Sequence, residues 1–450
     1  MDALDIVKGF NEILWNHFLM YVLLGVGIFY SVYLGFPQIR HFRLAFRYAF
    51  RPSTGMKEVE GGPKVNSFQA LATAVAAQVG TGNVAGVATA IAMGGMGSVF
   101  WMWISAFLGM GTIFSEAVLA QKYRRVYGSD IVGGPAYYIH QGLKTKKLAV
   151  FYSIAMIIAT GFIGSMVQAN SISLAITTAV DVQPWIIGGA IALLVGLVIM
   201  GGQQRITSVA ELVVPFMAVA YILGSVIIMV MCADKLPEVF TGIFSEAFST
   251  KAAAGGAVGT VMKYAIRYGV ARGLFSNEAG MGTTPHAHAL AEVKDPSVQG
   301  FVAMSGVFIT LLICTSTALV ILLTGAFADT SLQSVEITQT AFNQTFGKAG
   351  VIFLAVCLLF FAFTTIIGWY IFGEMNIKYL FGKKGVYPFR AIVLCFVFMG
   401  SLFAANLVWE LADTFNGFMI IPNIIAIVYL SPQVKKTYKE FLRKRKAGQL

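Results

Sequence analysis

Charged residues are scarce in this chain of 450 residues. Asp, Glu, Lys and Arg make up 12% of it, about half the share of an ordinary soluble domain. Hydrophobic residues make up 57%, and apolar runs of about 20 residues, each long enough to cross a bilayer as a helix, recur along the whole length. The composition excludes a soluble globular protein and predicts an all-α polytopic membrane protein surrounded by a lipid bilayer.

Cysteine is scarce too. The four cysteines lie in or beside apolar runs without CxxC spacing, so neither a disulfide framework nor a zinc site is indicated. The net charge of +11 would suit a nucleic-acid binder, but the basic residues fall in the gaps between apolar runs, where membrane topology places them. We therefore expect no nucleic-acid partner and no cofactor.

The apolar runs define eleven predicted transmembrane segments. They lie near residues 17–37, 66–95, 98–120, 148–180, 184–202, 209–233, 255–291, 297–326, 349–377, 388–406 and 411–431. Assigning alternate gaps to the two sides collects most of the 32 basic residues on the side of the C-terminus. This asymmetry predicts a multi-pass plasma-membrane protein with its N-terminus outside and its C-terminus in the cytoplasm.

The segments after the first divide into two groups of five. Because five is odd, the second group must enter the membrane from the opposite side, which is the inverted repeat of many secondary transporters. The predicted divisions are residues 1–64 as an extra N-terminal helix with a basic cytoplasmic loop, 65–233 as the first five-helix repeat, 255–431 as the second, inverted repeat, and 432–450 as a basic cytoplasmic tail.

The leading segment of each half is interrupted by glycines and polar residues. Segment 66–95 contains Gly80-Thr81-Gly82-Asn83, and segment 255–291 contains the stretch from Gly273 to Gly282. Unwound backbone in a membrane persists where it lines a cavity or binds something. The freed N–H groups suit a carboxylate and the freed carbonyls suit a small cation. We therefore predict two discontinuous helices around a ligand site in mid-membrane, although packing of small residues is an alternative reading of the first break.

Two ionisable residues, Arg272 and Glu278, belong to the second break. Such residues inside a membrane are functional by default, but these two could also pair and hold the unwound region in shape. Coupling and structural roles both stay open. His286 and His288 lack a third metal ligand, and we expect a structural role for them.

Further polar residues interrupt two other apolar segments. Asn170 follows Gln168 in segment 148–180, and Thr364 adjoins Thr365 in segment 349–377. A lone threonine often bonds only to its own helix. Two adjacent threonines in a span expected to pack on the first broken helix favour a functional role.

Both breaks resemble the signature of the alanine or glycine:cation symporter family. The resemblance covers Gly61-Gly62, Asn66 to Leu71 and Gly80 to Ile91 in the first half, and Arg272 to Gly282 with Pro285 to Ala289 in the second. It implies sodium-coupled uptake of alanine or glycine on the leucine-transporter-like five-plus-five fold. A transporter is therefore expected, not an enzyme, and we expect it to act as a monomer.

The resemblance also implies residue roles. It places the substrate carboxylate near the amides of Thr81 and Gly82, and it assigns one sodium ion to the carbonyls of Ala76 and Val79 with the hydroxyls of Thr364 and Thr365. It allows a second sodium ion at Asn83. The expected substrate-binding residues are Gln78, Thr81, Gly82, Asn170, Phe275, Ser276 and Asn277.

Two other functions remain open from the residues alone. Proton coupling could use Glu278, Glu116 or Glu374 as the carrier. A membrane-embedded enzyme could use Glu278 with the two histidines. For a transporter we expect alternating access, in which residues 66–120 and 255–326 rock against the remainder.

Overall fold

The computed structural model describes residues 3–50, 65–127, 130–249, 260–332, 334–403 and 405–449. Part of the predicted loop after residue 50, Gly61-Gly62 and the start of segment 255–291 lie outside the described residues. The described chain is almost entirely helical, as the sequence predicts, with one short antiparallel hairpin, β1 (Arg125–Tyr127) and β2 (Asp130–Val132).

The first half of the chain contains helices α1 to α13. They are α1 (Ala3–Ile13), α2 (Met20–Tyr33), α3 (Pro37–Arg40), α4 (Phe42–Phe50), α5 (Ser67–Gln78), α6 (Ala85–Gly94), α7 (Gly97–Tyr123), α8 (Pro135–Gly142), α9 (Lys146–Met156), α10 (Ser165–Ala179), α11 (Pro184–Ile199), α12 (Gly202–Met231) and α13 (Leu236–Ala247). Single π-helical stretches join α1 to α2 and α9 to α10, so each pair forms one continuous rod.

The second half contains α14 to α21. They are α14 (Thr260–Asn277), α15 (Pro285–Leu290), α16 (Pro296–Thr324), α17 (Val335–Phe346), α18 (Lys348–Phe381), α19 (Val386–Gly400), α20 (Ala405–Tyr429) and α21 (Ser431–Lys446). The last of these is polar and follows α20 almost directly.

Seven helical stretches among the described residues are long and apolar enough to cross a membrane, or eight if the bent pair α5–α6 counts as one span. They are Asp5–Tyr33, Gly97–Tyr123, Lys146–Ala179, Gly202–Met231, Pro296–Thr324, Lys348–Phe381 and Val408–Tyr429. These spans support a multi-pass membrane protein. The count of eleven and the inverted repeat stay predictions.

Large apolar side chains cover the outside of the bundle. Leu212 is 77% exposed, Phe216 67% and Leu197 50%. Soluble proteins rarely expose so much apolar surface to water, and such a surface is typical of contact with a membrane. Inside, α7 packs against α14 and α16, and α18 crosses α5 and α10. The two broken helices therefore lie at the centre of the bundle, surrounded by α7, α10, α16 and α18.

Candidate functional site

The first break begins where α5 ends. A capping box starts this helix, in which Asn66 Oδ1 accepts from the backbone N–H of Gln69 at 2.8 Å and Gln69 Oε1 accepts from that of Asn66 at 3.1 Å. The helix ends because Val79 leaves the helical region and Gly80 is fully extended. The chain resumes as α6 at an angle of 64° to α5.

The backbone N–H groups at this break bond to side chains instead of to the preceding turn. The N–H of Gly80 donates to Asn83 Oδ1 at 3.1 Å, and that of Thr81 donates to Gln168 Oε1 at 3.2 Å. In an uninterrupted helix these two donors would serve the carbonyls of Ala76 and Ala77, four residues earlier. Two carbonyl oxygens at the end of α5 are thereby released from the helix.

Thr365 lies against these released carbonyls. Its hydroxyl oxygen is 2.9 Å from the carbonyl oxygen of Ala76, 3.4 Å from that of Ala77 and 3.3 Å from that of Val79. It is also 3.0 Å from the carbonyl oxygen of Phe361 in its own helix. One hydroxyl proton can serve one acceptor well, so the cluster contains more buried acceptors than donors.

Three further polar atoms at the first break and at the end of α14 beside it are buried and have no hydrogen-bond partner in the described chain. They are Gln78 Oε1, Thr81 Oγ1 and Asn277 Nδ2. Gln78 also connects the breaks, because its Nε2 donates to the carbonyl of Asn277 at 2.7 Å. Buried polar atoms are nearly always paired, so three unpaired ones at one place indicate a ligand position.

The second break runs from residue 278 to residue 284, between α14 and α15. Its backbone is satisfied by a carboxylate of the protein. Glu116 of α7 accepts from the N–H groups of Gly280 and Gly282, each at 3.0 Å, and from Asn423 Nδ2 at 2.6 Å. Both glycines have positive φ, +86° and +81°, a conformation that favours glycine.

Glu278 has a separate set of partners. Its carboxylate accepts from Thr283 Oγ1 at 2.5 Å and from Trp369 Nε1 at 2.9 Å. Arg272 lies instead 3.8 Å from Asp413 of α20. The structure therefore does not pair Arg272 with Glu278, the structural alternative that the sequence left open.

A vestibule opens from one face of the bundle toward the breaks. It comprises two adjoining cavities of about 670 and 780 Å³, both lined by Lys8, Arg272, Glu410 and Asp413. Phe275 lines one of them and packs near Trp409, with ring centroids 6.1 Å apart. A Cβ on Gly82 would lie 3.0 Å from the Phe275 ring, so this ring separates the vestibule from the first break.

The opposite face is closed by a buried ionic network. Lys378 Nζ of α18 is 2.5 Å from Glu374 Oε1 and 2.8 Å from Asp130 Oδ2 of the hairpin. Arg390 of α19 lies 3.7 Å from Glu374 Oε2 and donates to the hydroxyl of Tyr370, which in turn bonds to Glu374. Hairpin, α18 and α19 are thus tied together on this side.

Several residues predicted from the sequence come together at the first break. Ala76, Gln78, Val79, Thr81, Gly82, Asn83, Phe275, Ser276, Asn277 and Thr365 lie there in contact with one another or with a shared neighbour. Asn83 uses its side-chain oxygen on Gly80, and its Nδ2 lies 3.4 Å from Cys314 Sγ. Cys314 in turn donates to Ser276 Oγ at 3.3 Å.

Two predicted residues lie elsewhere. Thr364 Oγ1 bonds to the carbonyl of Phe361 at 3.0 Å and to Met217 Sδ of α12 at 3.5 Å, away from the carbonyls of α5. Asn170 donates to the carbonyls of Gly400 and Phe403 at 3.1 and 2.7 Å, and it borders the vestibule. The structure brings neither side chain to the first break.

The histidines are both buried and engaged. His286 contacts the carbonyl of Thr283 at 2.7 Å and Asn376 Nδ2 at 2.9 Å, and His288 contacts Gln299 Oε1 at 2.9 Å. Among the described residues, no group of three His, Cys, Asp or Glu side chains could hold a metal ion.

Three further side chains contact the breaks, and the sequence did not assign them to these positions. Gln168, Glu116 and Trp369 come from α10, α7 and α18, and each contacts a break through a long side chain. The sequence shows that these polar side chains lie inside apolar runs. It does not show their partners, because those depend on which face of each helix points to the centre of the bundle.

The broken helices, vestibule and closed opposite face define a secondary transporter. The chain belongs to the sodium:alanine symporter family, which it matches over residues 1–450. This confirms the family resemblance and sets the enzyme alternative aside.

Two relatives extend the comparison. The chain is 40% identical over 455 residues to the sodium/alanine symporter AgcS of Methanococcus maripaludis, covering 99% of each chain. It is 42% identical over 462 residues to YrbD of Bacillus subtilis, provisionally named a sodium/proton-dependent alanine carrier, covering 99% of this chain and 93% of the relative.

Among solved structures, the fold is similar to that of MhsT in complex with L-phenylalanine. The TM-score is 0.59 at 12% identity, and the match covers 84% of this chain and 98% of MhsT. This likeness concerns the fold alone and confirms the leucine-transporter-like architecture.

Proposed function

We propose that this protein is a sodium-coupled symporter of small neutral amino acids, alanine and glycine, that works by alternating access. The observation that carries the proposal is the cluster of carbonyls at the end of α5. Three carbonyl oxygens and one hydroxyl oxygen converge there with a single proton among them. Such an excess of buried acceptors suits a small hard cation.

In this proposal sodium binds between Ala76, Val79 and Thr365. The ion replaces the Thr365 proton as the partner of the carbonyls and joins α5 to α18. Because Thr364 faces α12, we assign it a packing role, and its contact with Met217 makes it a natural control. A second sodium ion at Asn83 would compete with the bond from Gly80 to the same side-chain oxygen.

The substrate occupies the space beside the start of α6. Its carboxylate is held by the amides of Thr81 and Gly82 at the positive end of that helix, and it replaces Gln168 Oε1 as the acceptor of the Thr81 N–H. The unpaired atoms Gln78 Oε1, Thr81 Oγ1 and Asn277 Nδ2 supply further partners. Ser276 and the Phe275 ring, which closely approaches Gly82, border this space, and the family supports a substrate with a small side chain.

Transport moves this site between the two faces. The vestibule belongs to the outer side, and Phe275 with Trp409 closes it over the substrate. The network of Asp130, Glu374 and Lys378 closes the cytoplasmic side and opens in the inward state. The moving units are residues 66–120 and 255–326 of a 5+5 inverted repeat with eleven spans, in a monomer whose N-terminus is outside the plasma membrane.

Proton coupling is the second candidate, because Glu116 and Glu278 are buried at the second break and YrbD has both ions in its name. The partners of Glu116 named above are all donors. A proton on this carboxylate would displace one of them, which favours a permanent structural charge.

Uptake of radiolabelled alanine by the purified protein in proteoliposomes tests the proposal, with sodium and proton gradients imposed separately. We expect an inward sodium gradient at equal pH to drive accumulation. Full accumulation driven by a pH gradient in sodium-free buffer would refute sodium coupling in favour of proton coupling. Unlabelled glycine should compete with alanine.

A further inference from the structure

A basic cavity of about 440 Å³ lies just beyond the end of the first span. Four arginines line it: Arg40 at the end of α3, Arg43 and Arg47 of α4, and Arg445 of the C-terminal helix α21. Helices α3 and α4 and the distant C-terminal helix α21 thus contribute arginines to one cavity.

The described residues supply no ion pair that balances the charge of this cavity. Within the described part of the chain, none of the four guanidinium groups forms an ion pair. Residues 37–50 contain no Asp or Glu, and α21 contains only Glu440. The nearby Asp295 is already occupied by Lys444 Nζ at 3.0 Å and by the N–H of Ser297 at 3.0 Å.

The local potential affects a neighbour. Burial lowers the pKa of His41, which also lines the cavity, and the positive charges of Arg445 and Arg40 lower it further. All four arginines are exposed, and the positive potential that they create together attracts an anion to the place where Phe441 of α21 packs near Tyr48 of α4.

The position of the cavity next to the apolar first span favours a membrane lipid as the source of that anion. On α2 the apolar side chains Ile28, Phe29 and Val32 are exposed, and Ile39, which is 63% exposed, leads directly to Arg40. This apolar strip marks the surface that faces hydrocarbon, and the arginines follow it at the level of the headgroups. Lys435 of α21 sits 3.9 Å from the Tyr33 ring at the end of the same strip.

We propose that this cavity binds the phosphate of an anionic phospholipid, with the acyl chains along Ile39 and the exposed face of α2. Guanidinium groups recognise phosphate oxygens through paired hydrogen bonds, and basic pockets beside transmembrane helices bind anionic headgroups. The lipid neutralises the four arginines and fastens α21 to α4. The site is independent of the transport site and of the direction of the gradients.

The test measures thermal unfolding of the full chain in detergent on addition of phosphatidylglycerol or phosphatidylcholine. The double variant Arg40→Gln with Arg445→Gln removes two cavity arginines. Its control, Lys436→Gln with Lys439→Gln, removes two exposed charges from the same C-terminal helix outside the cavity. Arg40→Lys with Arg445→Lys keeps the charge and loses the paired geometry.

We expect phosphatidylglycerol, and not phosphatidylcholine, to raise the unfolding temperature of the wild type and of the lysine-to-glutamine control. The arginine-to-glutamine variant should need about tenfold more phosphatidylglycerol for the same shift, with the arginine-to-lysine variant in between. If the double glutamine variant does not fold, Arg43→Gln alone should show a smaller shift in the same direction. Equal responses of both double glutamine variants, or equal stabilisation of the wild type by inorganic phosphate, would overturn the proposal.

Discussion

The two breaks differ in what satisfies their backbone. At the second break, Glu116 accepts from two N–H groups, and Asn423 and Tyr152 bond to the carbonyls of Gly280 and Gly282. At the first break, neutral amides take up the N–H groups while the carbonyls of Ala76 and Ala77 are left around one hydroxyl.

This difference separates a fixed structural element from a binding element. A break whose partners belong to the protein stays in shape without a ligand. A break with surplus acceptors becomes fully satisfied when a cation arrives, because buried acceptors without partners are costly. Substitutions at the first break should therefore weaken ligand binding, and substitutions at the second break should lower the stability of the fold.

The largest effect is expected from Gly80→Ala. A Cβ here would lie 2.6 Å from Thr365 Oγ1 and 3.1 Å from Gln168 Oε1, so it would push both side chains out of place. Uptake of alanine in proteoliposomes should fall about a hundredfold. Gly189→Ala is the control, since no atom lies within 4 Å of the added Cβ; equal uptake by the two variants would contradict the geometry.

Glu116→Gln should act on stability. Replacing a buried carboxylate that accepts three hydrogen bonds with a neutral amide should lower the free energy of unfolding by about 2 kcal/mol. The unfolding temperature in detergent measures this, with the exposed Glu238→Gln as the matched control. A stable Glu116→Gln protein that has lost only proton-dependent uptake would show that Glu116 is a proton carrier instead.

Thr365→Ala should weaken sodium binding and leave the fold intact. Loss of one cation ligand should raise the sodium concentration for half-maximal alanine uptake about tenfold, which corresponds to about 1.4 kcal/mol. Thr364→Ala removes the adjacent hydroxyl, which faces Met217, and should change that concentration less than about twofold. A reversed order of the two variants would refute the assignment of the cation to Thr365.

The smallest effect is expected from Trp369→Phe. It removes the donor to Glu278 and keeps an aromatic ring, so Glu278 retains Thr283 as its partner. The free energy of unfolding should fall by about 1 kcal/mol, again measured by thermal unfolding. We also expect the sodium dependence of alanine uptake to be unchanged in Trp369→Phe. A large change in it would indicate that Glu278 takes part in coupling sodium to alanine transport.

The sequence predicts the helical membrane fold and the position of both breaks well. Glycines and polar residues inside apolar runs are local signals, and Gly80, Gly280 and Gly282 occupy conformations or close approaches that such residues permit. The second interruption is predicted from Gly273 to Gly282, but it begins only after Asn277. Helix α14 continues through Arg272 and Gly273 to Asn277.

The sequence cannot predict which side chains reach the breaks. Adjacent residues on a helix point about 100° apart, so nothing local shows that Thr365 faces α5 while Thr364 faces α12. The same holds for Gln168 and Asn170 on α10. Gln168 contacts Thr81 and Asn170 contacts Gly400, and only the packing of α10 in the bundle determines these directions. Glu116 is more remote still, since its partners lie in a different half of the chain.

We propose that the first break binds the cation. Equilibrium binding of radioactive sodium to the purified protein, with and without alanine, tests it most directly. We predict saturable sodium binding that alanine strengthens, that Thr365→Ala weakens about tenfold, and that folded Glu116→Gln and Thr364→Ala proteins retain. Sodium binding that survives Thr365→Ala and disappears in folded Glu116→Gln protein would contradict the account and move the cation to the second break.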